Sequence, residues 1–339
     1  MKKHSIINTA AILILCSATV FSLLTSCEGP QGLAGTDANE SCTQCHNSGS
    51  KLVVKIQQAA NSVHQTGITA FENRTICAPC HTSQGFIERM ERDTVATLAA
   101  INNPAAINCR TCHTIHNNFD STDFALRADG PVKLWMGGTL DLGDKGNTCV
   151  NCHQSRVVNP FPVAGGADVS ITSSRWGVHN GPQSAVLAGL VGYKLAGSVT
   201  YPTGDHPHKG AGCVTCHMAS PVGTLTGGHS LNMENEEEGQ NLAGCVACHP
   251  SAKDFDLNGT QTEVEDLLAQ LKTILIEKGY LNATTGLWKA TSSAPLNLTP
   301  DQAGTLLNYN LITKDKSMGV HNPAFVKALL QNSIDFWSI

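Results

Sequence analysis

Cys109-Arg-Thr-Cys112-His113 is one copy of a five-residue pattern, Cys-x-x-Cys-His, that occurs six times in this 339-residue chain. Two thiols at this spacing can form thioether bonds to the vinyl groups of one porphyrin, and the adjacent imidazole can coordinate the metal at its centre. The spacing is short because one turn of chain must present both sulfurs to a flat ring and bring the imidazole beneath it. The six copies occupy residues 42–46, 77–81, 109–113, 149–153, 213–217 and 245–249.

The repeated pattern predicts six haem c groups rather than zinc sites or disulfides. Zinc also binds Cys-x-x-Cys pairs, but it gives no reason for a His directly after the second Cys in every copy. The predicted attachment residues are Cys42, Cys45, Cys77, Cys80, Cys109, Cys112, Cys149, Cys152, Cys213, Cys216, Cys245 and Cys248, and the predicted iron ligands within the motifs are His46, His81, His113, His153, His217 and His249.

The N-terminal residues are typical of an exported lipoprotein. Residues 1–26 begin with two lysines and continue as an apolar run, which predicts a secretory signal. A transmembrane anchor is the alternative, but polar residues dilute the run and it ends at small residues rather than at a charged stop. Leu24-Thr-Ser-Cys27 resembles a bacterial lipoprotein box. We therefore predict that Cys27 becomes an acylated first residue that anchors the protein to a bacterial membrane, at its periplasmic or cell-surface face.

The remainder of the chain predicts one cofactor-rich domain. Residues 27–39 are rich in glycine and are predicted to form a flexible tether. Residues 40–339 are predicted to form the hexahaem domain, ending in a haem-free helical tail over about 255–339. The fold class predicted is mainly α with long irregular loops, wrapped around a chain of six haems, with little β structure.

Three helices are predicted in the tail. Apolar residues at helical spacing predict a helix over 262–278 and a second from about 300 to 311. Asn322-Pro323 predicts the start of a third helix, because Pro is favoured in the first turn.

The charge of the chain argues against a nucleic-acid partner. The formal net charge is −5 at pH 7, and haem propionates would add further negative charge. Because nucleic-acid-binding proteins are typically basic, we instead expect redox partner proteins or an external electron acceptor.

The second axial ligand of each iron decides whether a haem only transfers electrons or also binds a substrate. Seven further histidines follow the signal segment. His116 follows His113 by three residues, which predicts that both lie on one helical face and that His116 reaches a neighbouring haem. His206 and His208 lie close together, and we expect one of them to bind iron, with His208 favoured; Met233 is an alternative that the supply of histidines makes unnecessary. The predicted distal ligands are His64, His116, His179, His208, His229 and His321.

The C-terminal part resembles a known superfamily. Gly227-Gly-His229-Ser-Leu-Asn-Met, the haem motif near 244–250 and Gly319-Val-His321-Asn-Pro-Ala are similar to the multihaem cytochromes that include pentahaem nitrite reductase, octahaem tetrathionate reductase and hydroxylamine oxidoreductase. The resemblance covers roughly residues 205–339. It implies closely packed haem pairs and distal ligands drawn from elsewhere in the chain. The Cys-x-x-Cys-Lys motif typical of nitrite reductase is absent from the sequence.

Electron transfer at or outside the bacterial membrane, through haems that all have two His ligands, is the function that these features favour. No catalytic residue is identified in the sequence. Two alternatives stay open at this point. One is a reductase of nitrogen or sulfur oxyanions with one open haem, and the other is an oligomer or filament built from such cytochromes.

A possible calcium loop lies just before the tail. Asp254, Asp256, Asn258 and Glu265 match the spacing of a twelve-residue calcium loop. The competing interpretation is a turn at Asn258-Gly259 followed by a capping box, Thr262-x-x-Glu265, that opens the next helix.

Overall fold

The computed structural model describes Cys42, Cys45, His46 and residues 51–66, 73–143 and 145–338. The chain divides into two units, residues 1–47 and 48–339. In the first unit, Cys42 and Cys45 lie in helical backbone, and the amide of His46 donates to the carbonyl oxygen of Cys42 at 2.8 Å. The predictions for the signal segment, Cys27 and the tether lie outside the described residues.

The second unit is mainly helical, as predicted, and its strands are short. Its α-helices are α1 (Lys51–Ala60), α2 (Val63–Thr66), α3 (Ala78–His81), α4 (Ser83–Arg92), α5 (Cys109–Cys112), α6 (Asn147–Val150), α7 (Gln183–Leu187), α8 (Pro207–His217), α9 (Thr260–Glu277), α10 (Pro300–Asp315) and α11 (Pro323–Ser338). Short 3-10 helices span Ser121–Phe124, Gly228–Ser230 and Leu257–Gly259. The strands form three antiparallel pairs: β1 (Val132–Lys133) with β2 (Thr139–Leu140), β3 (Val169–Ile171) with β6 (Leu296–Leu298), and β4 (Glu234–Asn235) with β5 (Gly239–Gln240).

Each described motif of the second unit winds into about one helical turn. The turn is closed by a hydrogen bond from the amide of the motif His to the carbonyl oxygen of the first Cys, four residues earlier, which is the α-helical spacing. This turn brings both sulfurs and the imidazole to one side of the backbone. The lengths of these bonds are 3.1 Å for His81 to Cys77, 3.0 Å for His113 to Cys109, 2.9 Å for His153 to Cys149 and 2.8 Å for His249 to Cys245.

The three helices predicted for the tail are confirmed as α9, α10 and α11. Helix α10 begins with a capping box in which Thr299 accepts from the amide of Gln302, with Pro300 in the first turn. Helix α11 begins at Pro323, as predicted. These helices pack on one another through leucines with no exposed surface, including Leu271 and Leu275 of α9, Leu306 and Leu307 of α10, and Leu329 and Leu330 of α11.

Buried asparagines attach an irregular segment, residues 193–199, to this helical core. Asn308 accepts from the amide of Tyr193 at 2.7 Å and donates to its carbonyl oxygen at 2.8 Å. Asn332 makes the same pair of bonds to Val199, at 3.0 and 2.8 Å. Because buried backbone groups need partners, these two amides let non-repetitive chain lie against the helices. Gly304 permits the close approach, since a Cβ there would lie 2.2 Å from the Tyr193 ring.

Two local predictions were wrong. Helix α5 ends at Cys112, and His116 has a left-handed φ of 67°, so His113 and His116 do not share a helical face. The start of α9 is not capped by Thr262 and Glu265. Instead, the carboxylate of Asp256 accepts from the amide of Gln261 at 2.7 Å and from the amide of Thr262 at 3.2 Å.

The predicted calcium loop is not formed in the described part of the chain. The carboxylate of Asp256 is hydrogen-bonded to the first turn of α9. The backbone amide of Asp256 donates to the carboxylate of Asp254 at 3.0 Å. Within the described ranges, no three His, Cys, Asp or Glu side chains converge as a metal site. The same ranges contain no helix that is both long enough and apolar enough to span a bilayer.

The helical core provides a first test of the fold. Replacing Leu306 with Ala should lower the free energy of unfolding by about 2–5 kcal/mol, because it leaves a cavity in fully buried packing. Thr313→Ala, on the exposed side of the same helix, is the matched control and should change it by less than about 0.5 kcal/mol. Guanidinium unfolding followed by circular dichroism measures both. Equal effects of the two variants would contradict the packing of α10.

Candidate cofactor site

A large cavity lies among the described residues of the second unit. Its volume is about 2880 Å³, whereas a pocket for one small molecule is typically about 300–1,000 Å³. The cavity is lined by the Cys and His residues of the five motifs between residues 77 and 249. Apolar side chains that line it, such as Ile56, Val63 and Ile76, have 51%, 70% and 48% of their surface exposed. The cavity therefore has the size and apolar lining for several large, flat cofactors.

Five motif histidines each face a second histidine from a distant part of the chain. A ring nitrogen lies about 1.1 Å from the centroid of an imidazole with bonds of about 1.33 Å, and a metal–imidazole bond is about 2.0–2.1 Å. Two imidazoles on opposite sides of one metal therefore have centroids about 6.2–6.4 Å apart. The observed centroid distances are 5.9 Å for His153 and His64, 6.1 Å for His81 and His179, 6.3 Å for His113 and His229, 6.2 Å for His249 and His208, and 6.4 Å for His217 and His321.

Hydrogen bonds at Nδ1 fix the tautomer of several of these rings. A backbone carbonyl oxygen only accepts, so a ring nitrogen bonded to one must carry the proton. The other nitrogen, Nε2, then keeps its lone pair, which is the arrangement found in metal-bound histidines. The Nδ1 atoms bonded to backbone carbonyl oxygens are those of His113 (Phe124, 2.8 Å), His179 (Asn180, 2.8 Å), His208 (Val320, 2.6 Å) and His217 (Leu231, 3.1 Å).

Two further rings bond side chains at Nδ1. His153 is bonded to the amide oxygen of Gln183 at 3.0 Å, and His321 to a carboxylate oxygen of Asp315 at 2.7 Å. Gln183 lies 30 residues after His153, and Asp315 lies six residues before His321; no motif in the sequence marks either residue as the partner of a histidine. The acceptors of the previous rings are main-chain atoms, which no residue pattern can identify.

The hydrogen bond of His206 is made by the other ring nitrogen, Nε2. Its Nε2 lies 2.7 Å from the carbonyl oxygen of Leu187, so this nitrogen carries the proton and has no lone pair for a metal. The ring of His208 lies 6.2 Å from His206 and also 6.2 Å from His249. The geometry thus favours His208 over His206 as the ring that faces His249, a preference that the sequence pattern supported only weakly.

His116 has different surroundings. Its ring stacks on Phe119, with centroids 5.7 Å apart, and its amide donates to the carboxylate of Asp123 at 2.7 Å. The same carboxylate also accepts from the amides of Asn117, Asn118 and Phe119, which lowers its pKa despite the opposing effect of desolvation. Asp123 therefore shapes the tight loop that carries His116.

Burial keeps two of the distal rings neutral. It lowers the pKa of His64 to about 4, and the nearby His153 and His217 add to the effect. It also lowers the pKa of His229 to about 4, with smaller contributions from Lys55 and His113. At neutral pH both imidazoles are deprotonated, which is the form that binds metals.

The motifs lie against one another. Sγ of Cys80 lies 3.8 Å from the carbonyl oxygen of Asn151, and Sγ of Cys152 lies 3.9 Å from that of Pro79, so motifs 77–81 and 149–153 are in direct contact. Sγ of Cys213 lies 3.9 Å from the carbonyl oxygen of Gly146, at the start of α6.

Electrostatic neighbours extend this chain of contacts. Burial raises the pKa of Cys112 to about 11, and Cys149 contributes to the rise. Burial also raises the pKa of Cys216, with contributions from Cys245 and Cys248. Cys149 thus lies near Cys112, Cys216 lies near Cys245 and Cys248, and the chain just before motif 149–153 contacts Cys213.

Comparison with known proteins supports the fold. The sequence matches no family model, and no curated protein matches it. The crystal structure of outer cell wall cytochrome OcwA aligns with a TM-score of 0.50 at 18% identity, over 82% of this chain and 49% of that chain. An undecahaem cytochrome from the S-layer of Carboxydothermus ferrireducens aligns with a TM-score of 0.46 at 17% identity, over 82% and 40% of the two chains. The chain thus spans about half the length of OcwA and shares the fold of that part.

The two neighbouring histidines allow a direct test. If an iron lies between His249 and His208, His208→Ala should remove one axial ligand and convert one haem from low spin to high spin. His206→Ala is the matched control and should leave every haem low-spin, because the Nε2 of His206 is engaged by Leu187. Electron paramagnetic resonance of the oxidised protein measures the spin states. A high-spin signal in the His206 variant alone would reverse the assignment.

Proposed function

We propose that this chain is a hexahaem c-type cytochrome that transfers electrons, with each iron held between two histidines. The observation that carries the proposal is the set of five facing His pairs at 5.9–6.4 Å, each with one member in a Cys-x-x-Cys-His turn. These distances fit an iron placed midway between the rings. The cytochrome fold supports the same function.

The cysteines and the two histidines of each site would have distinct roles. The two Cys of each motif would tether a haem c, and the motif His would bind its iron from one face. The second His would bind the iron from the opposite side, which would leave no free coordination position for a substrate. Hydrogen bonds at Nδ1 hold the rings in the orientation and tautomer that coordination needs. A bound haem supplies reversible one-electron chemistry at its iron.

Contacts between motifs would provide the route for electrons. Motif 149–153 touches motif 77–81 through two sulfur–carbonyl contacts and lies beside motifs 109–113 and 213–217. Motif 213–217 in turn lies beside 245–249. Haems attached at these turns would be close neighbours, so an electron could pass among all five sites. The sixth haem would be attached at Cys42 and Cys45 with His46 as its motif ligand, and His116 stays a predicted distal ligand.

The count of haems is the first measurement that tests the proposal. The mass of the purified native protein should exceed that of its mature polypeptide by six haems, and a pyridine haemochrome assay should give the same number per chain. Replacing both Cys of one motif, for example Cys245 and Cys248 with Ser, should lower the count by one. A zinc protein would instead lose metal to a chelator and show no haem absorbance.

The spin state separates electron transfer from catalysis. Oxidised native protein should give only low-spin signals, because every iron would have two imidazole ligands. A high-spin signal equivalent to about one haem in six would contradict this part of the proposal and indicate a reductase with an open site. Native molecules that form long filaments under negative-stain microscopy would indicate the polymeric alternative.

We further propose that the protein is exported and anchored by a lipid on Cys27. Attachment of haem c outside the cytoplasm fits the predicted signal, and the structurally similar OcwA is an outer cell wall cytochrome. Its partners would be redox proteins or an external electron acceptor, with no role for nucleic acid. An acidic surface favours partners of positive charge.

The anchor can be tested with one substitution. Cys27→Ser should move the protein from the membrane fraction to the soluble exported fraction, because acylation needs the thiol. Cys16→Ser, within the predicted signal, is the control and should leave the protein in the membrane fraction. Immunoblotting of fractionated cells expressing each variant measures the distribution. Membrane retention of the Cys27 variant would remove the lipid anchor from the proposal.

A further inference from the structure

Asp315 is a buried carboxylate that bonds a predicted iron ligand. Its side chain has no exposed surface, and its Oδ1 lies 2.7 Å from Nδ1 of His321. The hydroxyl of Ser317 donates to its other oxygen. The ring of His321 faces His217 at 6.4 Å. Asp315 therefore lies directly behind the distal member of one His pair.

The partner of His321 differs in kind from those of five other rings. In the described part of the chain, the Nδ1 bonds of His113, His179, His208 and His217 end on neutral backbone carbonyl oxygens. That of His153 ends on the neutral amide of Gln183. A bond to a carboxylate is charge-assisted and roughly twice as strong as a neutral one. It draws the Nδ1 proton away from the ring and makes Nε2 a stronger donor to a metal.

The position of Asp315 is electrostatically unfavourable without a cationic partner. It is the last residue of α10, and the negative end of a helix dipole disfavours an acidic side chain. Burial adds a desolvation cost. A positive charge on the far side of the imidazole of His321 would compensate for both effects. A ferric iron between His217 and His321 provides that charge, and a ferrous iron provides less.

We infer that Asp315 is a positioning residue that lowers the reduction potential of the haem held between His217 and His321. This inference rests on the proposed function. The step concerned is the addition of one electron to the ferric iron from a neighbouring haem, and no proton moves and no bond breaks. A stronger imidazole donor and a nearby negative charge both stabilise the ferric form relative to the ferrous form. Asp315 therefore keeps the potential of this haem lower than it would be without the carboxylate charge.

A hydrogen-bonded bridge connects this site to its neighbour. Gln183 accepts from Nδ1 of His153 at 3.0 Å and donates through Nε2 to the backbone carbonyl oxygen of Asp315 at 3.1 Å. The ligands of two adjacent haems are thus held by one short path, through Gln183 and Asp315. The bridge fixes the orientation of both rings relative to each other, and the carboxylate acts on only one of them.

The test compares two substitutions with opposite expected signs. Asp315→Asn keeps an oxygen acceptor of the same shape and removes the charge. One of the six midpoint potentials should rise by at least about 59 mV. For a one-electron couple, this shift corresponds to a tenfold change in the reduction equilibrium. Ser317→Ala removes a donor from the carboxylate and leaves it a stronger acceptor for His321. One midpoint should therefore fall, by a smaller amount.

Asp335→Asn is the matched control. Asp335 lies on α11 and accepts from the amide of Ser198 at 2.7 Å and from Gln331 at 2.8 Å, with no bond to a predicted ligand. It should leave all midpoints unchanged. Potentiometric titration followed by absorbance measures the potentials, and paramagnetic resonance confirms that all haems stay low-spin.

The outcomes separate this inference from the proposed function. Six low-spin haems with potentials unchanged in the Asp315 and Ser317 variants would overturn the inference and leave electron transfer intact. If the Asp315→Asn protein does not fold, the Ser317→Ala protein decides alone. Midpoint potentials that do not fall in that variant would overturn the inference. Missing or high-spin haem in the unsubstituted protein would instead contradict the proposed function itself.

Discussion

The separation between two facing imidazoles is the constraint on which most of this structure depends. In each of five pairs, one ring belongs to a Cys-x-x-Cys-His turn and the other comes from a distant segment, as with His113 and His229 or His217 and His321. The chain between the partners differs from pair to pair: between His113 and His229 it is mostly loops and short helices, whereas between His217 and His321 it includes the packed helices α9 and α10. If an iron joins the two rings, each pair becomes a cross-link whose closure entropy grows only slowly with the length of the loop. Loose segments can therefore be held in place without a continuous hydrophobic core.

The hydrophobic core is correspondingly concentrated in one part of the second unit. Helices α9, α10 and α11 pack with the segment from Val158 to Leu195 into one large cluster. Beside the motifs, the described residues form only a small cluster around Val132, Leu140 and Val150. The cavity occupies the space that a core would otherwise fill. This division explains why aromatic residues make up only 5% of the sequence: flat cofactors would supply the missing apolar bulk.

The sequence predicted the elements whose signals are local. The motifs specify their own helical turns, and the apolar spacing and Pro residues located α9, α10 and α11 within a few residues. It failed where a side chain that belongs to no recognised motif decides the geometry. The spacing of His113 and His116 suggested one helix face, but Asp123 gathers four backbone amides and forces a tight loop. The carboxylate of Asp256, rather than Thr262, opens α9 because it reaches two free amides at once. Asp315 and Gln183 became visible only when the fold brought them to the rings.

The long separation between paired rings has a consequence for how such a protein is made. A chain that crosses a membrane from its N-terminus delivers motif 109–113 well before His229, and motif 213–217 well before His321. On the proposed function, a haem can be attached to these motifs while its second axial ligand is still on the other side of the membrane. During that interval the iron is open to water and to small oxidants. If haem is attached in this order, the order of residues along the chain would create a reactive period in biosynthesis that ends only when the last helices have arrived.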